Sequence, residues 1–229
     1  MLVILPGWMH DAAQWAAVSL RLDALEIEHV IVDFPGFGTV PQADSIQDMA
    51  DLVAWSKGEI ERLTAGSTGP ITLLGHSCGG RIALAVAAAD TQYRQLVLIG
   101  SPNLYRPTLR VRLVKVLARL AAPVRCLLPA WLLASVRSQD YIQARATGMQ
   151  SLYQSVVVDD QTALAVRIAT KVQLLWGESD TAAPVRIAQE LHQLLPDSTL
   201  KILPNLGHNL HHENPGLLAG TIALYLHHD

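Results

Sequence analysis

The chain has 229 residues, half of them hydrophobic, and a formal net charge of −3. This length suits one α/β core with an insertion, and the mildly acidic charge gives no indication of a nucleic-acid partner. Two cysteines are too few for a disulfide framework. No apolar run reaches the roughly 18 residues of a membrane span. Because the N-terminus also lacks the features of a signal peptide, we expect a cytoplasmic protein.

Apolar runs alternate with helical patterns through the first hundred residues. The predicted strands cover 2–5, 29–33, 71–74 and 95–100, and the helices between them start near Asp11, Ser45 and Cys78. Asp11 is suited to cap a helix that runs to about Ala24. Strands that are apolar throughout and alternate with helices predict a parallel sheet covered on both faces.

The pattern changes at Ser101-Pro102. From there to about residue 170 the periodicity is helical and no strand is convincing. We therefore predict a helical cap over residues 101–170, inserted into a core made of residues 1–100 and 171–229. The core resumes with strands at 172–176 and 199–203, a helix from Pro184 to Leu195 and a last helix at 215–226.

Gly75-His76-Ser77-Cys78-Gly79 matches the pattern G-x-S-x-G. A chain of this length contains that pattern by chance about one time in ten. Here an apolar strand enters the first glycine and an alanine-rich helix leaves the second, which is the strand–turn–helix context of a nucleophile elbow. The pattern predicts that Ser77 is exposed beyond the end of its strand.

Five stretches in order resemble the α/β-hydrolase superfamily over nearly the whole chain: residues 5–8, 33–38, 75–80, 177–180 and 207–208. The chain resembles small capped carboxylesterases of this superfamily, among them esterases that act on pimeloyl-carrier-protein methyl esters and related hydrolases. The resemblance implies a mostly or wholly parallel, doubly wound sheet of about six strands that lacks the first two strands of the full fold. It also implies a triad of Ser77, Asp180 and His208.

The missing strands leave the second predicted strand at the edge of the sheet. Glu26, Glu28 and His29 are expected to protect this edge, unless a partner chain pairs with it.

A serine hydroxyl needs an imidazole to accept its proton, and the imidazole needs a carboxylate to fix its tautomer. His208 and Asp180 are the candidates for these roles. Two alternatives stand against Asp180: it could be a helix cap before Pro184, or Asp159 or Asp160 could be the acid in its place. Cys78 is an alternative nucleophile, although the elbow would then be displaced by one residue. The backbone N–H groups of Trp8 and Cys78 are the expected oxyanion donors.

The chain has nine histidines. His76 is expected to pack or bond locally, His10 to lie at a pocket rim, His211 and His212 to cap a helix or face solvent, and His227 and His228 to be solvated. No H-E-x-x-H pattern or clustered Cys/His spacing occurs, so we predict no metal site and no cofactor.

The insertion is strongly basic, since residues 101–150 contain eight basic side chains and one acidic one. Its apolar face should line the substrate pocket, and the expected substrate-binding residues are Trp8, Met9, Leu104, Leu113 and Trp131. The basic face is interpreted in three ways: as a solvated surface, as a site for an acidic carrier protein, or as an attachment to anionic lipid.

A serine at the elbow, where dehalogenases and epoxide hydrolases of this fold have aspartate, favours acyl chemistry. We expect a carboxylesterase that acts on a small or medium acyl ester. The alternatives are an esterase or thioesterase for carrier-linked acyl chains and a non-catalytic ligand receptor on the same fold.

Overall fold

The computed structural model describes residues 1–107 and 139–227. Its centre is a six-stranded sheet with the order β2-β1-β3-β4-β5-β6, in which every neighbouring pair is parallel. The strands are β1 (Leu2–Leu5), β2 (His29–Ile31), β3 (Ile71–His76), β4 (Tyr93–Ile99), β5 (Lys171–Gly177) and β6 (Ser198–Leu203). The expected parallel sheet of six strands is confirmed.

Helices connect these strands and cover the sheet. They are α1 (Ala12–Ala24), α2 (Met49–Thr64), α3 (Cys78–Ala89), α4 (Gln139–Ala146), α5 (Gln150–Val158), α6 (Thr162–Ala165), α7 (Val185–Leu194), α8 (Leu210–Glu213) and α9 (Pro215–His227).

Capping residues decide where several helices begin. Asp11 caps α1 as predicted, and its Oδ1 accepts a hydrogen bond from the Gln14 amide at 3.2 Å. Helix α2 begins at Met49 rather than near Ser45, because Asp48 has extended backbone and accepts from the Asp51 amide. Pro184 also has extended backbone and precedes α7 instead of forming its first residue.

Both faces of the sheet carry a hydrophobic core, which explains why β1 is apolar throughout. Val3 and Leu5 belong to one buried cluster, and Leu2 and Ile4 belong to the other. Successive strand residues point to opposite faces, so a strand that is covered on both sides favours apolar residues at every position. The second cluster includes Trp15 of α1, which is fully buried.

The edge strand β2 is only three residues long. His29, one of the residues expected to protect this edge, is anchored through its side chain: its Nε2 lies 2.6 Å from the Ser19 hydroxyl of α1, and its Nδ1 lies 2.9 Å from the Ile27 carbonyl oxygen. Glu26 and Glu28 are exposed beside it. The brevity of β2 itself limits the unpaired edge.

Part of the predicted insertion is described. Helices α4, α5 and α6 lie between β4 and β5, and no strand occurs in the described part of residues 101–170. Leu113 and Trp131 lie outside the described residues. Within the described residues, no helix is both long and apolar enough to cross a membrane.

Replacing Asp48 by alanine removes the cap of α2. The free energy of unfolding in urea should fall by about 1 kcal/mol, because the Asp51 amide loses its acceptor. Asp44→Ala, an exposed change just before the helix, is the control and should stay within about 0.5 kcal/mol of wild type. Equal losses in the two variants would contradict the assignment of the cap.

Candidate active site

Ser77 lies at the junction of β3 and α3. Its backbone has φ 52° and ψ −115°, a conformation that residues other than glycine rarely adopt. Two hydrogen bonds to the end of β4 hold it there. The Ser77 amide donates to the Ile99 carbonyl at 2.9 Å, and the Ser101 hydroxyl donates to the Ser77 carbonyl at 3.0 Å. The conformation directs the Ser77 side chain into the cleft described below.

The glycines around Ser77 are required by close packing. A Cβ atom on Gly79 would lie 2.1 Å from the Leu5 carbonyl oxygen, and one on Gly75 would lie 2.4 Å from Cα of Gly80. These distances are far shorter than real contacts. Gly79 therefore lets the turn pack against β1, and Gly75 lets the end of β3 pack against the start of α3.

The structure brings Ser77, His208 and Asp180 together in one hydrogen-bonded row. His208 Nε2 lies 3.1 Å from the Ser77 Oγ, and His208 Nδ1 lies 2.8 Å from Asp180 Oδ2. A carboxylate only accepts hydrogen bonds, so Nδ1 carries the proton and Nε2 presents its lone pair to the serine hydroxyl. This is the arrangement that activates a serine.

Asp180 is fixed by the loop that follows β5. Its side chain is completely buried, and its second oxygen accepts from the amides of Ala182 and Ala183 at 2.9 and 2.7 Å. Asp180 therefore caps the following turn and binds His208 at the same time. The alternative carboxylates are not hydrogen-bonded to His208: Asp160 Oδ2 pairs with Arg106 at 2.8 Å, and Asp159 Oδ2 has no hydrogen-bond partner among the described residues.

Gly100, directly after β4, is a further residue that this arrangement needs. Its φ is +51°, and an added Cβ would lie 3.0 Å from Asp180 Oδ2 and 3.1 Å from His208 Nδ1. The sequence analysis missed it. A glycine directly after an apolar strand was the available signal, but only the fold shows that it faces the histidine–aspartate pair.

Cys78 is buried, and burial raises the pKa of its thiol to about 12. A protonated thiol is a poor nucleophile, which argues against Cys78 as the attacking residue. The backbone N–H groups of Trp8 and Cys78 have no hydrogen-bond acceptor among residues 1–107 and 139–227. Both residues line the same cleft as Ser77.

The cleft beside Ser77 is lined mainly by apolar side chains. Of the residues expected to bind substrate, Leu104 and Trp8 line this cleft. Met9 packs against the hydrophobic core and does not line the cleft. The sequence analysis missed the contribution of α5 and α7, which provide Tyr153, Val156, Val157 and Ile187.

Arg81 also lines the cleft and was not predicted. It is buried in the first turns of α3, where burial lowers the pKa of its guanidinium group, and it donates a hydrogen bond to the Asp159 carbonyl. An arginine within an otherwise apolar helix was the signal in the sequence.

Among the remaining histidines, His211 departs most clearly from expectation. His76 is buried and donates from Nε2 to the His208 carbonyl at 3.0 Å, which agrees with a packing role. His211 is fully buried and stacks on Trp15 at 4.7 Å, so the expected capping or solvent-facing role is wrong for it; His212 is exposed. His10 contacts both His76 and His211. His228 and the side chain of His227 lie outside the described residues.

Burial keeps the inner histidines uncharged. It lowers the pKa of His76 well below the ordinary value, and together with the neighbouring His212 and His10 it lowers the pKa of His211 to about 3. Both rings are neutral at physiological pH.

A parallel sheet with a strained serine at a strand–helix turn and a histidine–aspartate pair on the following loops defines the class of α/β hydrolases. A family model described as "Alpha/beta hydrolase family" matches residues 2–221, and the chain belongs to this family.

Individual relatives are distant. The chain is 25% identical over 261 residues to an uncharacterised protein of Mycobacterium tuberculosis. The alignment covers 98% of this chain and 74% of that protein. The fold is similar to an esterase from Exiguobacterium antarcticum, with a TM-score of 0.71, 19% identity, and coverage of 98% of this chain and 91% of that one. It is also similar to a serine hydrolase involved in carbazole degradation, with a TM-score of 0.72, 21% identity, and coverage of 99% and 90%.

The buried thiol provides a test. In a Cys126→Ser background, Cys78 should resist iodoacetamide at neutral pH, because a thiol with a pKa of about 12 has almost no thiolate there. Mass spectrometry of the native protein measures the modification, and the unfolded protein serves as the positive control. Rapid modification of native Cys78 would contradict its burial.

Proposed function

We propose that this protein hydrolyses carboxylic esters through an acyl-enzyme. The observation that carries the proposal is the continuous row of hydrogen bonds from Ser77 through His208 to Asp180. Membership of the alpha/beta hydrolase family supports a hydrolase. The esterase of Exiguobacterium antarcticum has the same fold and is consistent with ester chemistry.

In the first step, Ser77 Oγ attacks the ester carbonyl carbon while its proton passes to His208 Nε2. The imidazolium that forms is stabilised by the buried Asp180 carboxylate through Nδ1–H. The tetrahedral intermediate then collapses, the C–O bond breaks, and Nε2–H protonates the leaving alcohol. Water attacks the acyl-enzyme by the same route, with His208 now accepting the proton from water, and releases the acid and Ser77.

The negative oxygen of each tetrahedral intermediate needs hydrogen-bond donors. The N–H groups of Trp8 and Cys78 are suitable, since both residues line the cleft and neither amide has an acceptor among the described residues. Two such donors aimed at a developing oxyanion are among the largest contributions to catalysis.

The cleft favours an apolar acyl or alcohol group. Leu104, Tyr153, Val156 and Ile187 surround the approach to Ser77, and an alkyl chain of small to medium length would bury apolar surface against them.

The described residues of the basic insertion do not favour any one of its three interpretations. Arg106, its first basic residue, is paired with Glu190 at 2.7 Å and with Asp160 at 2.8 Å, so its charge is already compensated. Apart from Arg106 and the exposed Arg145, the basic residues counted above lie outside the described residues. A carrier-protein partner therefore stays a prediction.

Ser77→Ala is the direct test. We expect it to abolish labelling by a serine-directed phosphonate and to lower kcat/KM on a p-nitrophenyl ester by at least about 10³-fold. Asp180→Asn should keep the serine but lower kcat by about 10⁴-fold, because His208 loses the acceptor that fixes its tautomer. Wild-type labelling without turnover of any ester would indicate the receptor alternative, and absent labelling would contradict the proposal.

Gly100→Ala tests the support of the histidine–aspartate pair. The new Cβ would press on Asp180 and His208, so kcat on the same ester should fall about tenfold or more. Gly148→Ala is the matched control, since Gly148 also has positive φ (+78°) but no atom within 4 Å of the added Cβ. Both variants should lose stability by strain, and only Gly100→Ala should lose activity beyond that.

A further inference from the structure

A second group of polar side chains lies beside His208, whose ring is 5.0 Å from that of His76. It consists of His10, His76 and His211, and one ring nitrogen of each lies within 4.8 Å of the others. His76 and His211 are buried, with exposed fractions of 1% and 0%, and His10 is half-buried. The three residues are far apart in the sequence, so no spacing pattern could reveal them.

Four ring nitrogens in this group lack hydrogen-bond partners within the described part of the chain. This holds for Nδ1 of His10, for Nδ1 of His76 and for both nitrogens of His211. A buried polar atom without a partner costs about 1–3 kcal/mol, and such atoms are rare in folded proteins. Four of them at one place indicate that something else binds there.

The tautomer of His76 is fixed in the form that a metal requires. Its Nε2 must donate, because the partner at 3.0 Å is the carbonyl oxygen of His208. Nδ1 therefore presents a lone pair toward the group. Metal-binding histidines commonly donate their second ring N–H to a carbonyl or carboxylate in this way.

The space between the rings is kept open by a glycine. A Cβ on Gly7 would lie 2.9 Å from His76 Nδ1 and 3.4 Å from His10 Nδ1. His211 is oriented by Trp15, whose ring stacks on it nearly parallel, at an angle of 3°.

We propose that His10, His76 and His211 bind one divalent cation of the zinc class. Three imidazoles suit Zn²⁺, Co²⁺, Ni²⁺ or Cu²⁺ and do not suit Mg²⁺ or Ca²⁺. With Zn–N bonds of about 2.0–2.1 Å, tetrahedral ligand nitrogens lie about 3.4 Å apart. The ring nitrogens now lie within 4.8 Å of one another, so they must move closer together when an ion binds. Three histidine ligands on a tetrahedral ion leave a fourth position for water.

The experiment is a Zn²⁺ titration of the EDTA-treated, dialysed full chain by calorimetry. We expect one ion per chain, a higher thermal midpoint with Zn²⁺, and an absorption spectrum typical of tetrahedral nitrogen ligation with Co²⁺. Mg²⁺ should produce none of these changes. The readout does not use ester hydrolysis, so it is independent of the proposed function.

Two variants locate the ion. His211→Phe keeps an aromatic ring on Trp15 without nitrogens, and His10→Asn changes a half-buried position that should tolerate substitution. Each should weaken Zn²⁺ binding at least tenfold and remove the Co²⁺ spectrum. His192→Asn, which removes an imidazole elsewhere, and the pair His227→Asn and His228→Asn, which removes histidines at the C-terminus, should leave binding unchanged.

The proposal is overturned if wild type binds no Zn²⁺ at millimolar excess, since the unpartnered nitrogens would then be satisfied by buried water. It is also overturned if both His10→Asn and His211→Phe fold and bind Zn²⁺ as tightly as wild type.

Discussion

The backbone of Ser77 is the constraint on which the candidate active site depends. A residue other than glycine with φ 52° and ψ −115° costs about 1–3 kcal/mol and persists only if its surroundings enforce it. Here the enforcement comes from the carbonyl of Ile99, the hydroxyl of Ser101 and the contact of Gly79 with β1. The conformation thus couples three neighbouring strands, β1, β3 and β4, to the position of one hydroxyl group.

Two consecutive residues at the end of β3 belong to different groups of side chains. Ser77 lines the apolar cleft, while the ring of His76 contacts the rings of His10 and His211. His76 also contacts the ring and the backbone carbonyl of His208. The row from Ser77 to Asp180 and the histidine group are therefore built around the same strand end.

The sequence was sufficient for what depends on local pattern and chain order. The apolar runs were enough to predict the strands of the sheet, Asp11 was enough to predict the start of α1, and the strand–turn–helix around Ser77 was enough to predict the elbow. Positions that depend on contacts between distant segments could not be obtained this way. Gly100 faces His208 and Asp180 only after β4 and β5 pair, and His211, in a polar-looking stretch, is buried because Trp15 covers it. The same holds for the side chains of α5, which line the cleft beside Ser77 although they are distant from it in the sequence.

The three residues from Ile99 to Ser101 have a consequence for how the site is prepared. Ile99 and Ser101 bind the backbone of Ser77, and Gly100, between them, touches both Asp180 and His208. One short segment therefore contacts all three residues of the hydrogen-bonded row. The entropy of aligning these groups is lost once, when the sheet forms, so the row is already held in place before any molecule enters the cleft.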